Sequence, residues 1–552
     1  MLGNLDPNSI QDIDGARRAI QELLNLVEEV VGENHALREE NERLRDEINR
    51  LKGEQGRPKV RANKKSGDKG RDYSSERERR KPRQRKKKSK RAQVKIDREQ
   101  VLAVDQTRLP SDAEFKGYEE VVVQDIEIKT DNVLFRKEKY YSPSEHRTYL
   151  AELPDGYEGQ FGPGIKALVV VLYYGVNTSE PKIREFLGNV GIDISAGEVS
   201  NLLIKKQDDF HEEKAAIHEA GLRSSPWQHI DDTGTRVNGV NQHCHILCNP
   251  FYTAYITTAR KDRLTVLLDV LWRGQDHTFL LNEAAYAFLE RVRLAKKVIR
   301  QLRKLPQEKM LSAEEMEHLL EEHVPKIGPQ QRQRVREAMG VAAYHAQETF
   351  PVIDLLLCDD APQFNLLTRA QALCWVHEGR HYKKLTPYVA HHRQLLEDFR
   401  KTFWEFYRQI LIYQQNPSDE EHTRLSAEFD RVFSTVTGYR ALDLRIEKTK
   451  AKKSSLLAVL DHPEILPHNN PAELGARMRV RKRDVSFGPR TRDGTEAWDT
   501  FMTLAATAKK LGVSFYHYVH DRISKTYHMP YLADLIAERA TQRPLALSWG
   551  DS

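Results

Sequence analysis

The stretch Trp227–Val237, WQHIDDTGTRV, alternates apolar and polar residues and runs into Asn238-Gly239. That dipeptide favours the positive φ angles of a tight hairpin turn. A second strand is expected over Asn241–Cys248 (NQHCHILC) and a third over Phe251–Thr258 (FYTAYITT). Asp262–Trp272 (DRLTVLLDVLW) has helical spacing, and much later the apolar run Val352–Cys358 (VIDLLLC) ends in Asp359-Asp360. The order is strand, strand, strand, helix, strand, with a pair of carboxylates on the first and fourth strands. An α/β core whose central strands bring those two acids to one place follows from it.

Working outward, two long helical blocks interrupt this plan. They read as insertions over 275–350 and 387–457 within a core spanning 223–510, followed by a helical tail over 511–552. Either a helical shell or a surface for DNA or a second subunit fits them. Upstream, residues 161–222 read as short helices separated by Gly-containing turns, and Ser195 stands three before Glu198 in a capping-box arrangement. Three such helices match a helix-turn-helix, with Lys205 and Lys206 at its end as candidate DNA contacts. Residues 101–160 read as a small β-rich domain, from the alternation in Tyr118–Tyr141. Residues 1–56 carry heptads: Leu23, Val30, Leu37, Leu44 and Leu51 at every seventh position, with Ile20, Val27, Asn34, Asn41 and Ile48 between. A coiled coil joining a homodimer is expected, because each seam Asn favours its copy across the axis; a helix packed on its own protein is the alternative.

Charge is unevenly placed. Between Arg57 and Arg91 there are 18 Lys/Arg against four Asp/Glu, a net of +14 in a chain whose total is +6. Residues 57–100 are therefore expected to be a linker that cannot bury a core, and Arg83, Arg85, Lys86, Lys87 and Lys88 at its centre are candidate contacts to double-stranded DNA, with a merely solvated linker as the alternative. No run of about 18 apolar residues occurs and the N-terminus lacks the order of a secretory signal, so no membrane association and a cytoplasmic location are expected. Four cysteines in 552 residues are too few for a disulfide framework.

Three acids in distant parts of the chain suit phosphodiester chemistry, in which two Mg2+ or Mn2+ ions neutralise the attacking and leaving oxygens. Asp231 and Asp232 alternate in direction on a strand, so one of them can enter the site directly, and the same holds for Asp359 and Asp360. A third acid is expected in the first turn of a helix opening at Asn469-Asn470-Pro471-Ala472-Glu473, with Asn470 as cap and Pro471 at the first helical position. Glu496, in DGTEAW, is the runner-up. Cys374 and His377 offer two metal ligands, short of a tetrahedral set, and no zinc is expected; they read as packing and positioning groups of the fourth-strand region. His243, Cys244, His245 and Cys248 alternate along a strand and cannot all converge.

Taken together the core has the order of a ribonuclease-H-like fold, and the chain resembles the transposases of the insertion sequence 66 family, a group of DDE transposases. The resemblance is carried by HIDDT (His229–Thr233), CDDAPQF (Cys358–Phe364), CWVHEGR (Cys374–Arg380) and NNPAE (Asn469–Glu473), with Arg477 and Arg483 matching two family arginines. It implies metal-bridging roles for Asp231, Asp359 and Glu473, cleavage and strand transfer of DNA, and contact of Arg477 and Arg483 with phosphates; an ion pair with surface acids is the alternative for the two arginines. The sequence departs from the family at Asp232, where Glu is usual, at Leu474, where Arg is usual, and in the absence of cysteine between Asp105 and Gln160. An inactive, transposase-derived DNA-binding protein and a nuclease that cuts without joining are the competing functions.

Overall fold

The computed structural model describes residues 12–52, 94–105 and 108–548. The basic run holding Arg83, Arg85 and Lys86–Lys88 lies outside them. The chain is a mixed α/β protein with many helices around a five-stranded mixed sheet.

Helix α1 (Ile13–Leu51) has two working faces. One docks on the second insertion. Asn25 donates to the Gly438 carbonyl at 2.8 Å and accepts from the Arg440 amide at 3.0 Å. The Glu28 carboxylate accepts from the amides of Tyr388 and Val389 and from His392 Nδ1. The heptad face is left open: Leu23, Val30, Leu37 and Leu44 are 44%, 49%, 58% and 52% exposed.

Between Tyr118 and Glu138 no strand forms. The alternating Val121, Val123, Ile126 and Ile128 are all exposed, because neither face of that segment meets an apolar layer. Among the described residues, a hairpin of Lys139–Ser142 with Arg147–Leu150 is what remains of the expected β-rich domain. Three helices follow as expected, α2 (Pro163–Val170, prolonged by a π-helical turn to Gly175), α3 (Glu180–Asn189) and α4 (Ala196–Ile204), and the Ser195 side chain accepts from the Glu198 amide at 3.1 Å to cap the last.

The central strands are β1 (Trp227–Val237), β2 (Val240–Cys248), β3 (Thr253–Thr258), β4 (Leu355–Cys358) and β5 (Ala370–Leu373), in the spatial order 3-2-1-4-5. Asn238 and Gly239 adopt φ of 49° and 79°, so the turn between β1 and β2 has the backbone that Asn-Gly favours. β1 to β3 are antiparallel; β4 runs parallel to β1, and β5 parallel to β4. The register pairs His229 with Leu357, so continuing it two places sets Asp231 level with Asp359. β4 is wholly buried, as an unalternating Leu-Leu-Leu-Cys strand inside a sheet should be.

Helix α5 (Trp375–Lys383) starts where β5 ends, α6 (Asn470–Ser486) crosses β1 and β2, and α7 (Arg492–Leu511) lies along β3. A Cβ on Gly475 would stand 2.7 Å from Ile246 Cγ2, so glycine is what lets α6 approach the sheet this closely. Along the outer border, the amides of Thr257, Tyr255 and Thr253 donate to Asp499 Oδ2 (2.7 Å), Thr503 Oγ1 (3.0 Å) and Thr507 Oγ1 (3.2 Å) of α7. Four residues of helix rise about 6 Å and two of strand about 6.6 Å, so the two repeats keep step over three rungs. Arg479 of α6, 1% exposed, pairs with Asp499 at 3.1 Å and fastens the two helices together.

Both insertions are largely helical. The first adds a two-stranded ribbon of Phe279–Leu280 with Met310–Leu311 that the sequence pattern did not show.

Candidate active site

Asp231, Asp232, Thr233, Asp359, His377, Arg380 and Glu473 line one open cleft of about 590 Å3. β1 presents Asp231, the residue after β4 is Asp359, and the first turn of α6 supplies Glu473. α6 turns one face to the cleft: Ala476, Arg477, Val480 and Arg481 line it at three, four, seven and eight positions beyond Glu473. Arg481 was missed in the sequence, although its spacing from Glu473 and Arg477 carried the signal.

The electrostatics are those of crowded acids. Burial, and after it the charge of Asp359, pushes the Asp231 carboxyl up to about 7, against the Asp232 amide that donates to its Oδ1 at 2.9 Å. Burial also raises Asp359, which accepts from the Ala361 amide at 3.1 Å. Glu473 behaves in the opposite way. Burial works against its charge, but hydrogen bonds from His377 and Arg380 outweigh it and hold its pKa at about 2. His377 Nδ1 lies 3.2 Å from Glu473 Oε1, and Arg380 donates to Oε2 at 2.9 Å.

Asn469, fully buried, ties these parts together. Its side chain meets His229 Nδ1 at 3.0 Å and donates to the Ile230 carbonyl at 2.6 Å, and its amide donates to Cys374 Sγ at 3.2 Å. It thus links β1, next to Asp231, with the start of α6 and the end of β5. The cap position of α6 falls on Asn469 rather than Asn470, and its side chain is taken by β1 instead of by the helix amides.

The remaining candidates lie elsewhere or are otherwise engaged. Glu496 faces Lys214 at 3.9 Å on α7, outside the cleft-lining set. Asp232 accepts from Gln363 at 2.5 Å and pairs with Lys261 at 3.4 Å. Asp360 pairs with Lys452. Arg477 lines the cleft, whereas Arg483 donates to the Gly234 carbonyl of β1. Lys205 and Lys206 are exposed just after α4, and Lys206 stands 3.6 Å from Glu158. Cys374 and His377 stand at the end of β5 and in the first turn of α5, and the Cys374 amide donates to the Cys358 carbonyl at the end of the fourth strand at 3.0 Å. His245 is fully buried beside Thr258, at 2.9 Å.

No family model matches the chain. It is 33% identical over 322 residues to the uncharacterized protein y4jO of Sinorhizobium fredii, a match covering 58% of this chain and 99% of that protein. No helix among the described residues is long and apolar enough to cross a membrane.

Proposed function

The chain belongs to the family of this rhizobial protein, and we propose that it is a DNA transposase with a ribonuclease-H-like core, of the insertion sequence 66 type, that cleaves and joins DNA strands. One observation carries the reading: Asp231, Asp359 and Glu473, from the first strand, the end of the fourth and a later helix start, line a single cleft. Three antiparallel strands, then a fourth lying parallel beside the first, support the fold assignment.

The donor set fits hard divalent cations. Asp231 and Asp359 are carboxylates, half-buried, and each is raised by burial and by a neighbouring acid, which is the crowding that a bound cation relieves. Mg2+ or Mn2+ held by Asp231, Asp359 and Glu473 supplies charge neutralisation at the attacking and leaving oxygens. Arg477 and Arg481, on the cleft face of α6, are placed to grip phosphates flanking the scissile bond. Arg380 and His377 hold Glu473 ionised. Asn469 fixes the distance between β1 and α6. The three helices α2–α4 and the basic run at 57–100 are assigned to binding the element's ends, and the open heptad face of α1 to dimer formation.

The test is a supercoiled plasmid carrying the genomic DNA that flanks the coding sequence, incubated with the full chain and Mg2+ or Mn2+. Nicking and joined product are expected. Asp231→Ala, Asp359→Ala and Glu473→Ala should each lose more than the ~10–100-fold that removal of an outer-shell partner costs, with DNA binding retained. Full activity of Asp359→Ala sinks the assignment, and cleavage without joined product makes the protein a nuclease.

A further inference from the structure

A second, softer donor set overlaps the acids. Cys374 sits at the end of β5 and His377 one helical turn further on, so both side chains fall on the same side of the start of α5. Glu473, 99 residues from Cys374, comes in from α6. Ligand atoms of the three lie within 4.8 Å of one another. Glu473 Oε1 is 3.2 Å from His377 Nδ1 and 4.0 Å from Cys374 Sγ. Bonds of about 2.0–2.3 Å to nitrogen, oxygen and sulfur at tetrahedral angles place such ligand atoms roughly 3.3–3.7 Å apart, so the two Glu473 separations need only a few tenths of an ångström and the set as a whole closes with shifts of up to about 1 Å.

One further detail supports a ligand: Cys374 Sγ accepts the Asn469 amide at 3.2 Å, the kind of outer hydrogen bond that steadies a thiolate on a metal.

We propose that Cys374, His377 and Glu473 form a mononuclear site for a borderline-soft divalent cation of the Zn2+ class. His377 and Glu473 both line the cleft, so the fourth position opens toward it. Counting along the sequence stopped at two ligands because the third arrives from a distant helix. A cation on Nδ1 leaves the ring proton on Nε2, where Arg380 Nη1 now donates at 2.9 Å. Arg380, its side chain 41% exposed, therefore swings outward on loading. The site stands independently of the proposed function. If that function holds, the same Glu473 is claimed by two classes of ion, and Zn2+ acts as a brake on Mg2+-dependent cleavage.

The experiment is a titration of the chelator-treated full chain with Co2+, which takes zinc sites and gives a near-ultraviolet thiolate-to-cobalt charge-transfer band. The thiolate band is expected to saturate at one Co2+ per chain and to be displaced by Zn2+. The band should vanish in Cys374→Ser, persist in Asp359→Asn, Cys244→Ser and Arg380→Ala, and need at least about tenfold more Co2+ in His377→Ala. Circular dichroism checks that each variant folds, and should Cys374→Ser fail to fold, the His377→Ala titration decides. No thiolate band in the folded wild type, a band that survives Cys374→Ser, or an unchanged titration in His377→Ala overturns the proposal. A band without DNA cleavage leaves this site standing and removes the transposase reading; cleavage without a band does the reverse.

Discussion

At the scale of single residues, Asp231 is a carboxyl that the folded protein holds protonated to about pH 7, through burial and then the charge of Asp359. An unfolded Asp ionises near pH 4. Below about 4 both states keep the proton; between about 4 and 7 only the folded state does, so it binds more protons and stability falls as pH rises across that window. Above 7 the loss is complete. Asp231→Asn, which cannot ionise, should therefore match the metal-free wild type in melting temperature only below about pH 4, exceed it at pH 5 and exceed it further at pH 8. A variant less stable than wild type at pH 8 would remove this account of the acid. The same proton must leave when a cation binds, so Mn2+ affinity by calorimetry should weaken by up to tenfold per pH unit below about 7 and level off above it.

At the scale of the element, α6 is the part on which the site depends, and its seat is Gly475. Gly475→Ala puts a methyl group 2.7 Å from Ile246 Cγ2, on a buried strand with little room to yield. Better helix propensity offsets only about 1 kcal/mol, against the ~1–3 kcal/mol of overpacking. A net loss of stability in denaturant titration is expected, together with a fall in activity from the displaced Glu473; a variant more stable than wild type would refute it. The elements were legible in the sequence where local chemistry and burial agree. Asn238-Gly239 announced the hairpin, the unbroken Leu355–Cys358 run announced a buried strand, and Pro471 announced the start of α6. Alternation failed at Val121–Ile128, since a period of two marks a strand only when one face meets a core, and here neither does. His377, Arg380 and Asn469 were quoted within motifs, yet their hold on Glu473 and β1 depends on contacts across 93 and 239 residues, which spacing does not reveal. Arg483 went astray for the same reason: its guanidinium is taken by the Gly234 carbonyl of β1, a contact across the fold that the spacing does not reveal.

At the scale of the molecule, α1 presents one stripe to its own insertion and another to solvent. Asn25 and Glu28 spend the first stripe on Gly438, Arg440, Tyr388, Val389 and His392. The dimer proposed through the second would thus be rigidly coupled to each α/β core rather than flexibly tethered. Val30→Glu and Leu37→Glu together should convert the dimer to monomer in analytical ultracentrifugation with the fold intact, since both positions are already about half exposed in one chain. A dimer that survives the double change would move the interface elsewhere.

The row of α7 side chains along β3 bears on the behaviour of the whole chain at high concentration. A sheet border with free amides is a template onto which another chain's strand can add. Here that template is occupied by Asp499, Thr503 and Thr507, so the border is closed by a helix instead of a sixth strand. Solubility then depends on α7 staying in place. Loosening it would uncover adhesive backbone and, through the Arg479–Asp499 pair, free α6 as well, so self-association into intermolecular sheet would accompany damage to the site.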